Sequence, residues 1–214
     1  MRVCRPRRDQ EVAIREEVRD DLLRTRLTSD PYMSPARRTR TLQQVSNAPT
    51  AMCLCYLVKG PLNAPGAILL GMKHLGFGAG KIVGLGGHIE AGEDAWDAAC
   101  REAAEESGLV VRREDLVHRA EVLFSFPTEP SWNSLVSVFV ANHWRGEITP
   151  SDEITPTWYP ANDLPLDLMW DDARYWLPQL LSGSQLLRAH ITFDENKSVV
   201  AHTELQWSKA CHSS

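Results

Sequence analysis

The segment from Gly86 to Leu109 constrains the fold of this chain most, because it predicts a loop followed by a strongly acidic helix. From Asp94 to Ser107 it contains alanine, tryptophan and cysteine among charged residues, with no glycine or proline. Such a composition predicts a helix, and Gly108 follows in the position where glycine commonly ends one. The fold must therefore accommodate a helix that carries several carboxylates near its carboxyl end.

Three glutamates share one face of this predicted helix. Glu102, Glu105 and Glu106 stand at positions i, i+3 and i+4, so their carboxylates repel one another in the last turn, where the helix dipole is already negative. Hard oxygen ligands of this kind suit Mg²⁺, with Mn²⁺ as an alternative. A solvated acidic face balanced by Arg101 also fits the triplet taken alone.

Short apolar runs separated by turns surround the acidic helix and predict an α/β domain. A glycine-rich loop covers Gly76–Gly87, and a second helix is expected over Asp171–Ser182, with Pro178 able to bend or end it. The predicted strands are Ala51–Val58, Ala67–Lys73, Val117–Phe126, Leu135–His143, a strand closing at Trp158–Pro160, and a hairpin of Ala189–Phe193 with Val199–Leu205.

The charge balance divides the chain into regions. Residues 1–50 hold eleven arginines and no lysine, with a balance of +4, which leaves the rest of the chain at −9. We expect an Arg-rich extension over 1–50 that is flexible or partly helical at Glu11–Arg26, a catalytic domain over 51–206, and a tail over 207–214. The extension fits a solvated tail better than a nucleic-acid arm, so no stable nucleic-acid partner is expected.

Cysteine content and hydropathy indicate the cellular compartment. The five cysteines are an odd number without a CxxC pair, which favours reduced thiols over a disulfide framework or a zinc site. No apolar run is long enough for a membrane span, and the amino terminus lacks the apolar centre of a secretion signal. We expect a cytoplasmic monomer with no membrane partner.

The glutamates lie within a longer pattern that starts at Gly87 and ends at Leu109. It resembles the signature of the Nudix hydrolases, GX5EX7REUXEEXGU with U an apolar residue, and every fixed position is filled. The resemblance implies an α/β/α sandwich with a mixed sheet, and Mg²⁺- or Mn²⁺-dependent cleavage of diphosphate linkages. It also implies that Glu102, Glu105 and Glu106 hold metal together with the Gly86 carbonyl, and that Glu93 and Arg101 brace the loop against the helix.

The same resemblance suggests how the chemistry is shared. The metals would orient and acidify a water molecule that attacks phosphorus, and Glu102 and Glu105 are the candidates for the group that takes its proton. Lys73 supplies positive charge just before the glycine-rich loop. It is a candidate phosphate contact, although a solvated lysine at a strand end fits the sequence equally well.

Further motifs resemble the branch of the family that hydrolyses oxidised purine nucleoside triphosphates. They are Leu69–Lys73, Gly76–Lys81, Ser151–Glu153, Met169–Asp172 and Tyr175–Trp176. The resemblance implies that Glu153 is a further metal ligand and that Trp170 stacks on the purine. It also makes Phe77, Asp171 and Asp172 candidate substrate contacts.

Three positions depart from that branch. Val83 stands where an asparagine reads the base edge, and His88 replaces a lysine. Of two adjacent aspartates that read the base, only Asp172 keeps its place without a gap, while a shift of one residue would also restore Asp171. Sites built on hydrogen bonds discriminate through groups left unpaired, so these changes bear directly on the choice of substrate.

Three functions follow from these features. The first is Mg²⁺-dependent hydrolysis of oxidised purine nucleoside triphosphates, such as 8-oxo-dGTP or 2-hydroxy-dATP, to the monophosphate and pyrophosphate. The second is the same chemistry on another nucleoside diphosphate derivative, such as ADP-ribose, a dinucleotide or capped RNA, which Val83 favours. The third is a nucleotide sensor without catalysis, which the complete set of glutamates disfavours.

Overall fold

The computed structural model describes residues 48–208. The strands are β1 Thr50–Lys59, β2 Ala67–Lys73, β3 Ile82–Val83, β4 Val117–Ser125, β5 Ser134–Ala141, β6 Ile154–Pro160, β7 Leu186–Phe193 and β8 Val200–Ser208. The helices are α1 Ala95–Ser107 and α2 Ala173–Ser182, with short 3-10 turns at Arg113–Asp115, Pro130–Trp132 and Leu166–Leu168.

The strands form one mixed eight-stranded sheet in this described part of the chain. Its main path runs β3-β2-β1-β5-β4-β7-β8, and β6 pairs with β2 outside that path. The pairs β1–β5 and β4–β7 are parallel, whereas the other pairs are antiparallel. The apolar residues of β1 and β5 place these two strands in the middle of the sheet, where both faces are covered.

A separate apolar cluster covers each face of the sheet. On one face, Ala98, Ala99 and Ala103 of α1 pack against β1 and β5, and we call this the α1-side cluster. On the other face, Trp176, Leu177 and other residues of α2 pack against a larger apolar group, the α2-side cluster. One helical layer on each side of a mixed sheet confirms the predicted α/β/α sandwich.

Helix α1 has well-defined ends. Asp94 is its N-cap and accepts hydrogen bonds from the backbone N–H groups of Trp96 and Asp97, both at 3.0 Å. Gly108 ends the helix in the left-handed conformation, with φ of 73°, and its N–H donates to the Ala104 carbonyl. The predicted helix is therefore confirmed, with Asp94 as its cap rather than its first turn.

Helix α2 continues through Pro178 to Ser182, so the proline does not end it. Its carboxyl end is held by Arg119 of β4, which is only 4% exposed. The Arg119 guanidinium donates to the carbonyls of Leu180 and Gly183, which lie at the end of the helix. A buried cation at this end satisfies carbonyls that have no partner within the helix and complements the helix dipole.

Several predictions on the fold need a correction or stay open. The predicted glycine-rich loop contains β3, and β6 is a full strand of which only the end was expected. The expected helix at Glu11–Arg26 and the flexible character of the extension lie outside the described residues. The domain limits 1–50, 51–206 and 207–214 remain predictions. None of the helices within residues 48–208 is long and apolar enough to cross a membrane.

Candidate active site

Two glycines let the acidic face of α1 approach the preceding loop. The Gly86 N–H donates to Oε2 of Glu106 at 2.7 Å, and a Cβ at Gly86 would overlap the Cys53 carbonyl of β1. A Cβ at Gly87 would overlap the Glu102 carboxylate. Since any larger residue would push these groups apart, the glycines fix the position of both glutamates against the loop.

Arg101 is tied to three of the glutamates on or near α1. Its Nε and Nη2 donate to the two oxygens of Glu93 at 2.8 and 3.0 Å. Its Nη1 donates to Glu102 at 2.9 Å and to Glu105 at 3.1 Å, while Nη2 also donates to the His88 carbonyl at 3.0 Å. Three of these five hydrogen bonds, to Glu93 and to the His88 carbonyl, join the loop to α1, and they support the bracing role implied for Glu93 and Arg101, which remains a prediction.

The remaining two carboxylates meet at Lys73, the last residue of β2. Its Nζ lies 2.5 Å from Oε1 of Glu153 and 4.0 Å from Oε1 of Glu106. Strand pairing explains the first contact, because Lys73 stands opposite Ile154 where β6 begins, directly after Glu153. The structure thus brings Glu153, which is distant in sequence, to the carboxyl end of α1.

The carboxylates of the site differ in burial. Burial raises the pKa of Glu106 to about 7, partly offset by the Gly86 N–H and by Lys73. Burial also raises the pKa of Glu102, against the effect of Arg101. The side chains of Glu105 and Glu153 are 59% and 52% exposed, respectively. The site thus combines the buried Glu106 and the half-buried Glu102 with two carboxylates that face solvent.

This donor set fits a hard divalent ion, although the carboxylates do not yet surround a common point. Within residues 48–208, no group of three or more acidic, histidine or cysteine side chains is arranged to hold a metal ion. The glutamates instead contact Arg101 and Lys73, which compensate their charge. The ligand roles expected for Gly86, Glu102, Glu105, Glu106 and Glu153 remain predictions, supported by their oxygen chemistry.

A group of aromatic rings lies at the side of the sheet where α2 begins. Phe77 of the glycine-rich loop stacks on Trp170, with ring centroids 5.0 Å apart and an angle of 17° between the planes. Phe193 of β7 meets Trp170 edge-on at 5.9 Å, and Trp132 meets Phe77 edge-on at 4.8 Å. The structure therefore brings the two predicted aromatic contacts, Phe77 and Trp170, directly together.

The two adjacent aspartates point in different directions. Asp172 is 6% exposed and accepts a hydrogen bond from Nε1 of Trp176 at 2.8 Å. Its burial raises its pKa to about 6. Asp171 instead pairs with Arg174 at 2.8 Å and accepts the backbone N–H of Val200 in β8. Of the two candidates, Asp172 is the buried carboxyl, whereas the Asp171 carboxylate contacts α2 through Arg174 and β8 through Val200.

Val83 occupies a different environment from the aromatic group. It pairs with Gly71 of β2 and packs against the α1-side cluster, whereas Trp170 packs against the α2-side cluster. The structure therefore does not bring Val83 together with Trp170, and the expected role of Val83 as a substrate contact remains a prediction. The reason is the alternation of strand β3, whose other residue, Ile82, belongs to the α2-side cluster.

One hairpin connects the carboxylates to the aromatic group. The Lys73 N–H donates to the Lys81 carbonyl at 2.9 Å, so the two lysines flank the loop of residues 74–80 that joins β2 to β3. The Lys73 ammonium reaches the glutamates, while the Lys81 ammonium lies 4.9 Å from the centre of the Trp170 ring. No role was predicted for Lys81. Its positive charge within the glycine-rich loop was the available signal.

Comparison with known proteins finds one matching family model and similar relatives. The family model described as the NUDIX domain matches residues 54–180. The oxidized purine nucleoside triphosphate hydrolase of Danio rerio is 39% identical over 139 residues, which are 64% of this chain and 86% of that protein. The Mus musculus protein of the same name is 36% identical over 140 residues, which are 65% of this chain and 86% of that protein.

Among solved structures, the MutT protein from Bacillus halodurans is similar in fold. It superimposes with a TM-score of 0.61 at 21% identity, covering 73% of this chain and 97% of that one. The matched family region contains α1, all the carboxylates described above, and the aromatic residues Phe77, Trp132 and Trp170. The chain is a member of the NUDIX domain family.

Proposed function

We propose that this chain hydrolyses oxidised purine nucleoside triphosphates, such as 8-oxo-dGTP or 2-hydroxy-dATP, to the monophosphate and pyrophosphate. This reaction would remove damaged nucleotides from the cellular pool. The names of the Danio rerio and Mus musculus relatives support the substrate class. We further propose that the enzyme acts as a cytoplasmic monomer, which is consistent with the free thiols of Cys53, Cys55 and Cys100.

The observation that carries the proposal is the hairpin between the two halves of the site. Lys73 contacts the carboxylates and Lys81 lies over the Trp170 ring, at the two ends of a single loop. A purine on the aromatic group would therefore direct its phosphates along this loop towards the glutamates. The positive charge of both lysines favours a polyanionic ligand over a neutral one.

The residues of the two halves then take separate roles. The Trp170 ring offers a flat polarisable face to the base, and the buried Asp172 carboxyl can exchange a hydrogen bond with its edge. Arg101 keeps the loop and α1 in register, so that Glu102 stays against Gly87. Glu102 or Glu105 accepts the proton of the attacking water.

The proposed cofactor is Mg²⁺, with Mn²⁺ as a substitute. When bound by Glu102, Glu105, Glu106, Glu153 and the Gly86 carbonyl, the ion would supply charge neutralisation and a more acidic water. Carboxylates and phosphates repel each other, so an acidic site needs such an ion to hold a triphosphate. A bound divalent cation would also offset the repulsion among the glutamates themselves.

Pyrophosphate release, measured with Mg²⁺ and with EDTA across a panel of nucleotides, tests the proposal. Glu105→Gln removes one carboxylate of the cluster, and we expect its kcat to fall about 100-fold or more. Glu114→Gln is the matched control, because Glu114 pairs only with Arg112 on the surface, and its kcat should be unchanged. Equal activity of Glu105→Gln and the parent protein would exclude metal-dependent hydrolysis at this helix.

A second candidate keeps the chemistry and changes the substrate. Val83 offers no hydrogen-bonding side chain, and Ala173 follows Asp172 where the resembled branch has a second aspartate. A site with fewer groups that read the base would favour another nucleoside diphosphate derivative, such as ADP-ribose, a dinucleotide or capped RNA. Including ADP-ribose in the nucleotide panel separates this candidate from the first.

A further inference from the structure

The two cations of the acidic site are held in very different ways. Arg101 makes five hydrogen bonds. Two of them go to Glu93 and one to the His88 carbonyl, and these two residues precede α1 in the chain. Within residues 48–208 the Lys73 ammonium makes one hydrogen bond, to Glu153, and approaches Glu106 at 4.0 Å. Arg101 is therefore also held by groups other than the α1 glutamates. In the described part of the chain, the Lys73 ammonium is held only by carboxylates.

The chemistry of the side chains reinforces this difference. A guanidinium is a rigid planar fork that forms several directed hydrogen bonds at once, while an ammonium is a compact charge on a flexible stem. The Lys73 side chain is only 13% exposed, so its charge sits inside the site and close to both carboxylates. Of the two cations, only Lys73 can leave without breaking contacts that hold the loop to α1.

From these contacts we propose that Lys73 is an exchangeable counter-ion that holds the place of the divalent cation between Glu106 and Glu153. The inference rests on the proposed metal-dependent function. The ammonium contacts Oε1 of both carboxylates, so a divalent ion that binds these same two oxygens displaces it. Arg101 remains in place throughout and keeps Glu93 and Glu102 in position.

The exchange gives Lys73 two successive partners. In the protein without metal it neutralises the carboxylates of Glu106 and Glu153, whose mutual repulsion would otherwise strain the junction of α1 and β6. Once displaced, the ammonium is free to contact a substrate phosphate. Lys73 begins the loop whose other end, Lys81, lies over the Trp170 ring. No bond is formed or broken in this step, and only ionic partners change.

Metal binding without nucleotide tests this inference by a readout other than activity. Lys73→Met removes the competing charge and keeps a flexible apolar stem. We expect titration calorimetry to show about five-fold tighter binding of Mg²⁺ or Mn²⁺ to this variant. In EDTA its melting temperature should fall below that of the parent protein, because two carboxylates lose their counter-ion.

Two further variants keep the test decisive. Lys59→Met makes the same change at a lysine that lies over the Trp158 ring, and it should leave metal affinity unchanged. Lys73→Arg keeps the positive charge, so its metal affinity should be no tighter than that of the parent protein. Circular dichroism confirms that each variant is folded.

The outcomes separate the inference from the proposed function. Metal affinity of Lys73→Met equal to or weaker than the parent value would overturn the exchange and leave the hydrolase proposal standing. Tighter binding by Lys73→Arg would also overturn it, since charge would then not be the cause. Absence of metal binding in all variants and in the parent protein would overturn the proposed function as well.

Discussion

Arg101 grips Glu93 with two parallel hydrogen bonds, from Nε at 2.8 Å and from Nη2 at 3.0 Å. Lysine cannot make this paired contact, so Arg101→Lys should loosen the loop that carries Gly86 and Gly87. We expect kcat/KM to fall about 10- to 100-fold, as for other residues that orient metal ligands. Steady-state kinetics on the purified variant measure this loss.

Arg112→Lys is the control for that substitution, because Arg112 pairs with Asp115 on the surface and away from the site. It should retain the parent kcat/KM. An Arg101→Lys protein with full activity would show that the paired contact does not position the site.

Gly87 has no space for a side chain, since a Cβ there would overlap the Glu102 carboxylate. Gly87→Ala should displace Glu102 and lower kcat by about 100-fold, while the helix itself remains folded. Gly66→Ala is the matched control, because the nearest atom to its Cβ would be 3.9 Å away. Wild-type kcat in Gly87→Ala would mean that the position of Glu102 is not needed for turnover.

Trp170 should contribute to nucleotide binding through its ring face. Stacking of a base on an aromatic side chain is worth about 1–3 kcal/mol, so Trp170→Ala should raise KM by about 10-fold or more. Trp170→Phe keeps a smaller ring and should raise KM less. Equal KM values for the two variants and the parent protein would place the base elsewhere.

Asp172 makes stability depend on pH. Burial raises its pKa from 3.8 to about 6, so the folded protein holds the proton more tightly than the unfolded chain. The protonated carboxyl contributes to the free energy of unfolding at low pH, and this contribution is lost as pH rises through 6. The loss amounts to up to about 3 kcal/mol at neutral pH. Asp172→Asn removes this cost while its amide oxygen can still accept from Trp176.

Urea unfolding at two pH values measures the effect. The gain in unfolding free energy from Asp172→Asn should be about 1 kcal/mol larger at pH 7.5 than at pH 5. Asp163→Asn, at an exposed position, should show no such difference. A gain in unfolding free energy that is independent of pH would mean that Asp172 does not take up a proton when the chain folds.

Much of the fold could be predicted because local patterns and tertiary structure agree. β2 was predicted with its observed limits, Ala67–Lys73, and α1 to within one residue with its terminal glycine, since apolar runs and helix-ending residues act locally. Only the end of β6, Trp158–Pro160, was predicted, since Pro156 argues against a strand at its start. It is tolerated there because β6 pairs only with β2, so its other edge needs no backbone donor.

The candidate site was predictable only where residues act through a sequence motif. The grouping of Glu102, Glu105 and Glu106 follows from helical spacing, whereas the contact of Glu153 with Lys73 depends on strand pairing over eighty residues. The different directions of Asp171 and Asp172 depend on where α2 begins. The partners of Arg119 are backbone carbonyls, for which the sequence gives no signal.

The ratio of kcat/KM values for 8-oxo-dGTP, dGTP and ADP-ribose in the presence of Mg²⁺ tests the central claim most directly. We predict pyrophosphate release that requires Mg²⁺, with 8-oxo-dGTP preferred about 10-fold or more over dGTP and over ADP-ribose. A preference for ADP-ribose, or turnover that persists in EDTA, would contradict the account.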